Sequence, residues 1–207
     1  MIKFWNGFLK LTAWLPQLIC FRTRIYYENK TIQSRRISGP AIIVCNHRSV
    51  FDLAGILFTF FSRTVRFQIA ELQFEKKVLG KLLTAIGGIR VDRFSSNMSF
   101  MADSEAVLRK GGVIGIFPEG RLPRPGEETP LPFRPGAAYL SIMSGIKVIP
   151  VYTTGSYFSR KRNRLMIGTP MDPAEYLKNG MTEKESIGLF AEAMRTKITE
   201  LEKLIHG

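Results

Sequence analysis

The 207-residue chain carries two histidines, and only one of them has neighbours that could make it reactive. His47 follows the apolar run Ala41–Cys45 and opens the segment NHRSVFD, with Asp52 five residues on. On a continuous helix that spacing sets two side chains about 140° apart. The pair therefore meets only if His47 sits in a strand-to-helix turn and Asp52 at the start of the helix. A carboxylate accepting from Nδ1 would fix the imidazole tautomer and leave Nε2 free to take a proton. Equally open from the residues alone is a plain turn histidine, with Asp52 as a helix N-cap. His206, next to the C-terminus, is expected to fray.

Three further clusters carry groups suited to an anionic ligand. FPEGR, Phe117–Arg121, follows a second apolar run, where α/β sheets place sites; Glu119 and Arg121 are expected to project at the sheet edge, with Gly120 letting backbone approach a ligand. GGIRVDR, residues 87–93, sets Arg90 and Arg93 around a short strand, and the guanidinium fork suits phosphate oxygens. FRPG, at 133–136, adds Arg134. There is no G-x-S-x-G elbow, and neither Cys20 nor Cys45 has a second histidine near it. The two cysteines form no ligand-like pair, so no metal site is expected.

Holding these groups in place requires a scaffold, and the hydrophobic pattern describes one. Strands are expected at Ala41–Cys45, Val65–Ala70, Ile89–Val91, Val113–Phe117, Lys147–Tyr152 and Arg164–Thr169, several apolar throughout, as in a sheet covered on both faces. Helical patterns fall between them at 52–61, 74–85, 97–110 and 137–144. A last helix begins at the capping box Thr182/Glu185 and runs through Ile187, Phe190, Met194, Ile198, Leu201 and Ile205. The alternation predicts an α/β fold: a single-domain αβ sandwich with a mostly buried mixed sheet and an N-terminal interfacial helix. Residues 121–136, with five prolines, read as a long functional or solvated loop.

Charge is uneven. The net charge is +13, and residues 1–100 hold 15 of the 30 basic but only 5 of the 17 acidic residues. A basic half implies an anionic partner. Residues 1–36 read as an amphipathic membrane-surface segment and 37–207 as the folded domain. The longest charge-free run, Leu11–Phe21, is too short to span a bilayer. Trp5, Phe8, Leu9 and Trp14 supply an apolar face, and Arg22, Arg24, Arg35 and Arg36 follow it, as in a helix lying on an anionic leaflet. The expected location is the cytoplasmic face of the cell membrane, held peripherally. A basic nucleic-acid-binding module is a reading of another class, drawn from RTRIYY at 22–27 and SRKRNR at 159–164. No recognition motif for nucleic acid accompanies those runs, and no nucleic-acid partner is expected.

In order and spacing, NHRSVFD, GGIRVDR, FPEGRLP, FRPG and VIPVY (148–152) resemble the motif blocks of the glycerolipid acyltransferase family, typified by 1-acylglycerol-3-phosphate acyltransferases. The resemblance covers about residues 40–155. It implies an O-acyltransferase that moves a fatty acyl group from an acyl thioester to lysophosphatidate, giving phosphatidate without an acyl-enzyme. By the same resemblance His47 is the general base and Asp52 its partner. Arg90, Arg93, Glu119, Gly120 and Arg121 hold the acceptor phosphate and glycerol, with Arg134 a further phosphate ligand. No cofactor is implied; acyl-CoA or an acyl carrier protein thioester is the co-substrate. The family pattern has Thr between Gly and Arg of its third block. Here Arg121 follows Gly120 directly, and another lysophospholipid stays open as the acceptor.

Overall fold

The structure is a computed structural model that describes residues 1–92 and 99–206. Among the described residues there are seven strands and seven α-helices. In order they are α1 (Ile2–Thr12), α2 (Trp14–Cys20), β1 (Arg24–Tyr27), β2 (Ala41–Cys45), α3 (Asp52–Thr59), β3 (Val65–Ala70), α4 (Lys77–Ala85), β4 (Ile89–Val91), α5 (Ser99–Arg109), β5 (Val113–Ile116), α6 (Gly136–Ser144), β6 (Val148–Thr153), β7 (Arg164–Ile167) and α7 (Glu183–His206). The sheet order is β1-β7-β6-β2-β5-β3-β4. Every neighbouring pair is parallel except β6 and β7, which makes the sheet mixed.

At the centre, β2 pairs with β5 on one side and β6 on the other, and all five of its residues are buried. Its side chains alternate between two cores, as strand geometry requires. Ile42 and Val44 join Leu140, Phe190, Met194 and Ile198 beneath α5–α7, whereas Ile43 and Cys45 join Ile56, Phe60 and Leu83 beneath α3 and α4. Because β6, β2 and β5 run side by side, the segments leaving their C-terminal ends converge at one edge.

All six expected strands form, and β1 is a seventh. Its short RIYY run was read only as a basic stretch, and its pairing with β7 joins Arg24 to Arg164, far apart in the chain. Gly145 ends α6 in the left-handed conformation, as a C-terminal glycine should. The capping box is present: the backbone N–H and hydroxyl of Thr182 both donate to Glu185 Oε2, at 2.8 and 2.7 Å. His206 does not fray. It remains helical, and its ring nitrogens approach the Tyr152 hydroxyl and the Arg164 guanidinium at 3.4 and 3.3 Å.

The N-terminus corrects the sequence reading in two ways. It forms two helices rather than one, and Lys10, a charge set within the apolar N-terminal run, is only 4% exposed. Lys10 Nζ donates to the carbonyls of Phe60, Phe61 and Arg63 beyond the end of α3, and burial lowers its pKa to about 8. Asn6 donates to the Ile86 carbonyl at 2.8 Å. Leu9 is half-buried and packs on the core at the border of the two faces, about 40° around the helix from the exposed Trp5 and about 100° from the exposed Phe8. Among the described residues no helix is long and apolar enough to cross a membrane.

Candidate active site

The chain leaves β2 through Asn46, which is buried and clamps β2 to β6. Its amide donates to the Thr153 carbonyl at 2.9 Å and its oxygen accepts the Thr153 N–H at 2.8 Å. His47 comes next, in the strand-to-helix turn. Its Nδ1 lies 3.0 Å from Asp52 Oδ2, and that oxygen also accepts the N–H groups of Arg48 and Ser49, both at 2.7 Å. A carboxylate offers acceptors only, so Nδ1 carries the proton and Nε2 the lone pair. Asp52 is fully buried, while the imidazole is 20% exposed. The ring stacks on Phe117 at 4.4 Å, and Phe117 stacks on Phe67 at 5.4 Å. Its tautomer, plane and position are thus set by separate contacts.

Glu119 does not project from the sheet edge. It turns inward, buried, accepting the His47 N–H at 2.7 Å and the Leu131 N–H at 2.9 Å. Its pKa is raised by burial, against the opposing effect of those two bonds. The carboxylate therefore ties the loop after β5 to the histidine turn and to the proline-rich segment. That segment is an ordered connector: Pro130 and Leu131 are buried, and Arg195 donates to the Pro130 carbonyl at 3.3 Å.

Of the expected arginines, Arg121 and Arg90 face different surroundings. Arg121 points into the proline-rich loop and forms a two-pronged pair with Glu127 at 2.6 and 2.8 Å, which holds the Glu127 carboxyl down to about 2. Arg90 is exposed and lies over the Phe74 ring at 4.9 Å. Arg93 lies outside the described residues. The Gly120 N–H is engaged with the Phe117 carbonyl at 3.0 Å, so it is not a free donor for a ligand. Gly120 has φ +71°, and a Cβ there would come within 2.7 Å of Arg134 Nε. Glycine is needed at this position both for the left-handed turn and for Arg134 to cross it.

Arg134 and Gly120 are the two members of the expected acceptor set that line a groove of about 860 Å³ beside Phe117. Its walls are largely apolar, with Val91, Phe100, Ile116, Tyr139 and Ile187 among them, and Lys184 adds a second cation. Sequence reasoning missed Phe117, Lys184 and Tyr157. Gly55 leaves room for the Tyr157 hydroxyl, which would lie 2.5 Å from a Cβ at that position. That hydroxyl is pushed well up in pKa by burial and then by the Asp52 charge. The one signal for Phe117 was its place ahead of PEGR; Lys184 and Tyr157 had none.

Comparison with known proteins agrees with this geometry. The 1-acyl-sn-glycerol-3-phosphate acyltransferase beta of Homo sapiens is 28% identical over 167 residues, covering 78% of this chain and 59% of its own length. The 1-acyl-sn-glycerol-3-phosphate acyltransferase of Bacillus subtilis is 26% identical over 166 residues, covering 78% of this chain and 80% of its own. The chain thus spans about three-fifths of the human relative and four-fifths of the bacterial one. The crystal structure of the 1-acyl-sn-glycerophosphate acyltransferase PlsC from Thermotoga maritima matches 97% of this chain and 79% of its own, with a TM-score of 0.65 at 21% identity, which shows a shared fold. The acyltransferase family pattern itself matches residues 24–154, from the edge strand β1 to one residue past β6, the strand that completes the histidine's surroundings. With more than half of its length inside that match, the chain belongs to the acyltransferase family.

Proposed function

We propose that the protein transfers a fatty acyl group from an acyl thioester to the free hydroxyl of 1-acylglycerol-3-phosphate, giving phosphatidate. The observation that carries this reading is the 3.0 Å contact from His47 Nδ1 to a buried Asp52, made by an imidazole that stays partly open at the sheet edge. His47 Nε2 takes the acceptor hydroxyl proton as that oxygen attacks the thioester carbonyl. The tetrahedral intermediate collapses, the C–S bond breaks, and the imidazolium returns the proton to the leaving thiolate. Asp52 stabilises the transient imidazolium and never needs to move. Transfer is direct. Cys45, near His47 in sequence, is 1% exposed, and burial followed by the Asp52 and Glu119 charges keeps its thiol protonated.

In this reading the large groove beside Phe117 takes an acyl chain along its apolar walls, and Arg134 faces the acceptor phosphate. Arg121 is already neutralised by Glu127 and contributes less. Glu119 positions the histidine turn. The donor is acyl-CoA or an acyl carrier protein thioester. Residues 37–207 form the catalytic unit, while the 1–36 segment contributes β1 to its sheet and meets the membrane through α1 and α2. Phe4, Trp5, Phe8, Leu11, Trp14, Leu15 and Ile19 are exposed there, with Arg22, Arg24 and Arg36 nearby, a surface suited to lying peripherally on an anionic cytoplasmic leaflet.

The test is kcat/KM for lysophosphatidate and for lysophosphatidylethanolamine in wild type, Arg134→Met and Arg121→Met. Wild type should prefer lysophosphatidate. Arg134→Met should lose about 10- to 100-fold on it, the value of a charge-assisted contact, and Arg121→Met less than about 3-fold. Equal wild-type rates on both acceptors would transfer the reading to another lysophospholipid. For the membrane surface, Trp14→Ser with Ile19→Ser should weaken pelleting with both neutral and anionic vesicles, and undiminished pelleting would refute it.

A further inference from the structure

A second cleft lies against α2, away from the groove beside Phe117 and sharing no lining residue with it. One half, about 330 Å³, is lined by Arg22, Arg35 and Arg162 together with Gln17, Thr23 and Thr59. The other half, about 590 Å³, is walled by Trp14, Leu18, Phe58 and Phe61, with Arg36 at its edge. The halves meet along Gln17, Leu18, Arg35, Phe58 and Thr59.

The three arginines are exposed and unneutralised. Among the described residues no carboxylate comes within ion-pair distance of any of them. Arg35 is held by bonds to the Thr59 and Phe58 carbonyls at 2.8 and 3.1 Å, which leaves three of its five N–H groups for a ligand. Beside Arg162 the backbone is anchored at Asn163, fully buried, whose oxygen accepts from Thr153, Thr154 and Ser156 and whose amide reaches Thr23. Arg22 has φ +45°, a left-handed conformation that a non-glycine residue seldom adopts. Such outliers persist where the surroundings over-determine them, often at ligand sites.

Three exposed cations lining one cleft, with no carboxylate paired to them among the described residues, give it a positive potential that favours an anion. An adjoining apolar half lined by tryptophan and phenylalanine does not suit a small inorganic ion. We propose that this cleft binds one anionic phospholipid, with its phosphate on Arg22, Arg35 and Arg162 and its acyl portion along Trp14, Leu18, Phe58 and Phe61. The site is separate from the acceptor site and seats α2 against α3. It deepens the membrane-surface reading, replacing a diffuse basic patch by a discrete headgroup site.

The experiment titrates the full-length protein in solution, near physiological salt, with short-chain dihexanoyl phosphatidylglycerol below its micelle concentration. Dihexanoyl phosphatidylcholine and inorganic phosphate are the comparison probes. The expected result is saturable binding of the anionic lipid, tighter than either comparison. Arg22→Gln with Arg162→Gln should weaken it by about 10- to 100-fold, against less than about 3-fold for the charge-matched Arg160→Gln with Lys161→Gln. Should the first double variant not fold, Leu18→Trp, which fills the cleft from an exposed position, should give the same loss. Absence of wild-type binding, or equal loss in the charge-matched variant, overturns the site. Inorganic phosphate binding as tightly as the lipid assigns it to a free anion and overturns the lipid. A rise in KM for lysophosphatidate in detergent that matches the lost lipid affinity makes the cleft the acceptor site and also overturns the proposal. Because the probe is monomeric, failure of the membrane-surface reading shows separately, as loss of vesicle pelleting with solution binding intact.

Discussion

The two ends of α3 carry opposite charges and do different work. At its start Asp52 is buried, and one of its oxygens gathers His47 Nδ1 and two backbone N–H groups. At its last turn and just beyond it, Arg35 donates to the carbonyls of Phe58 and Thr59 and Lys10 to those of Phe60, Phe61 and Arg63. Both placements follow the helix dipole, a carboxylate at the N-terminus and cations at the C-terminus. The cations are spent on backbone oxygens, and what they achieve is to fasten α1 and the segment before β2 to the domain. The carboxylate spends one bond on an imidazole that can exchange a proton and is open to a ligand. In the proposed reaction the Asp52 charge takes part in chemistry because one of its partners is an imidazole left partly open at the sheet edge.

The sharpest way to break this comparison is at the reactive end. His47→Ala should lower kcat by about 10²–10⁴ with the thermal midpoint nearly unchanged, because the ring adds little to the core. More than about a tenth of the wild-type kcat would remove His47 from the role of base. Asp52→Asn should cost activity on a similar scale. Unlike the histidine variant, it should also cost about 2–3 kcal/mol in urea unfolding, since a charged acceptor of three bonds is lost inside the protein.

The anchoring end should show the reverse pattern. Lys10→Met should lower stability by about 1–3 kcal/mol and leave kcat in detergent within about 2-fold. A fall in kcat without loss of stability would mean that the two ends are not separable. Lys10 also predicts a pH signature. Its pKa is about 8 in the folded protein, against 10.5 when unperturbed. Below pH 8 both states hold the proton and the burial penalty is fully present. Between pH 8 and 10.5 the unfolded chain binds more protons, so stability rises with pH, by at most about 1.4 kcal/mol per unit. Chemical unfolding from pH 7 to 10 should show that rise in wild type relative to Lys10→Met, and parallel curves would contradict it. The smallest effect belongs to Arg35→Gln, about 0.3–1 kcal/mol, as for a partly exposed cation at a helix C-terminus.

What could be read from the sequence is what local chemistry dictates. The NHRSVFD spacing allows His47 to meet Asp52 across a strand-to-helix junction, though the residues alone left a plain turn histidine equally open. The strands Ala41–Cys45 and Val113–Ile116, and the long final helix behind its capping box, follow from hydrophobic period and short-range hydrogen bonds. The remainder rested on partners distant in the chain. Nothing local explains a lysine in the apolar N-terminal run; the carbonyls of Phe60, Phe61 and Arg63 receive it. Glu119 looked like a ligand until the N–H groups of His47 and Leu131 turned it inward. Arg121 was withdrawn by Glu127, Arg134 was carried across Gly120, and β1 needed Arg164–Ile167 beside it to become a strand. Spacing restricts residues a few positions apart because the backbone has few conformations there. Which distant charge meets which carbonyl, and which arginine faces a groove, depends on burial and pairing across the sheet, and only tertiary packing decides that.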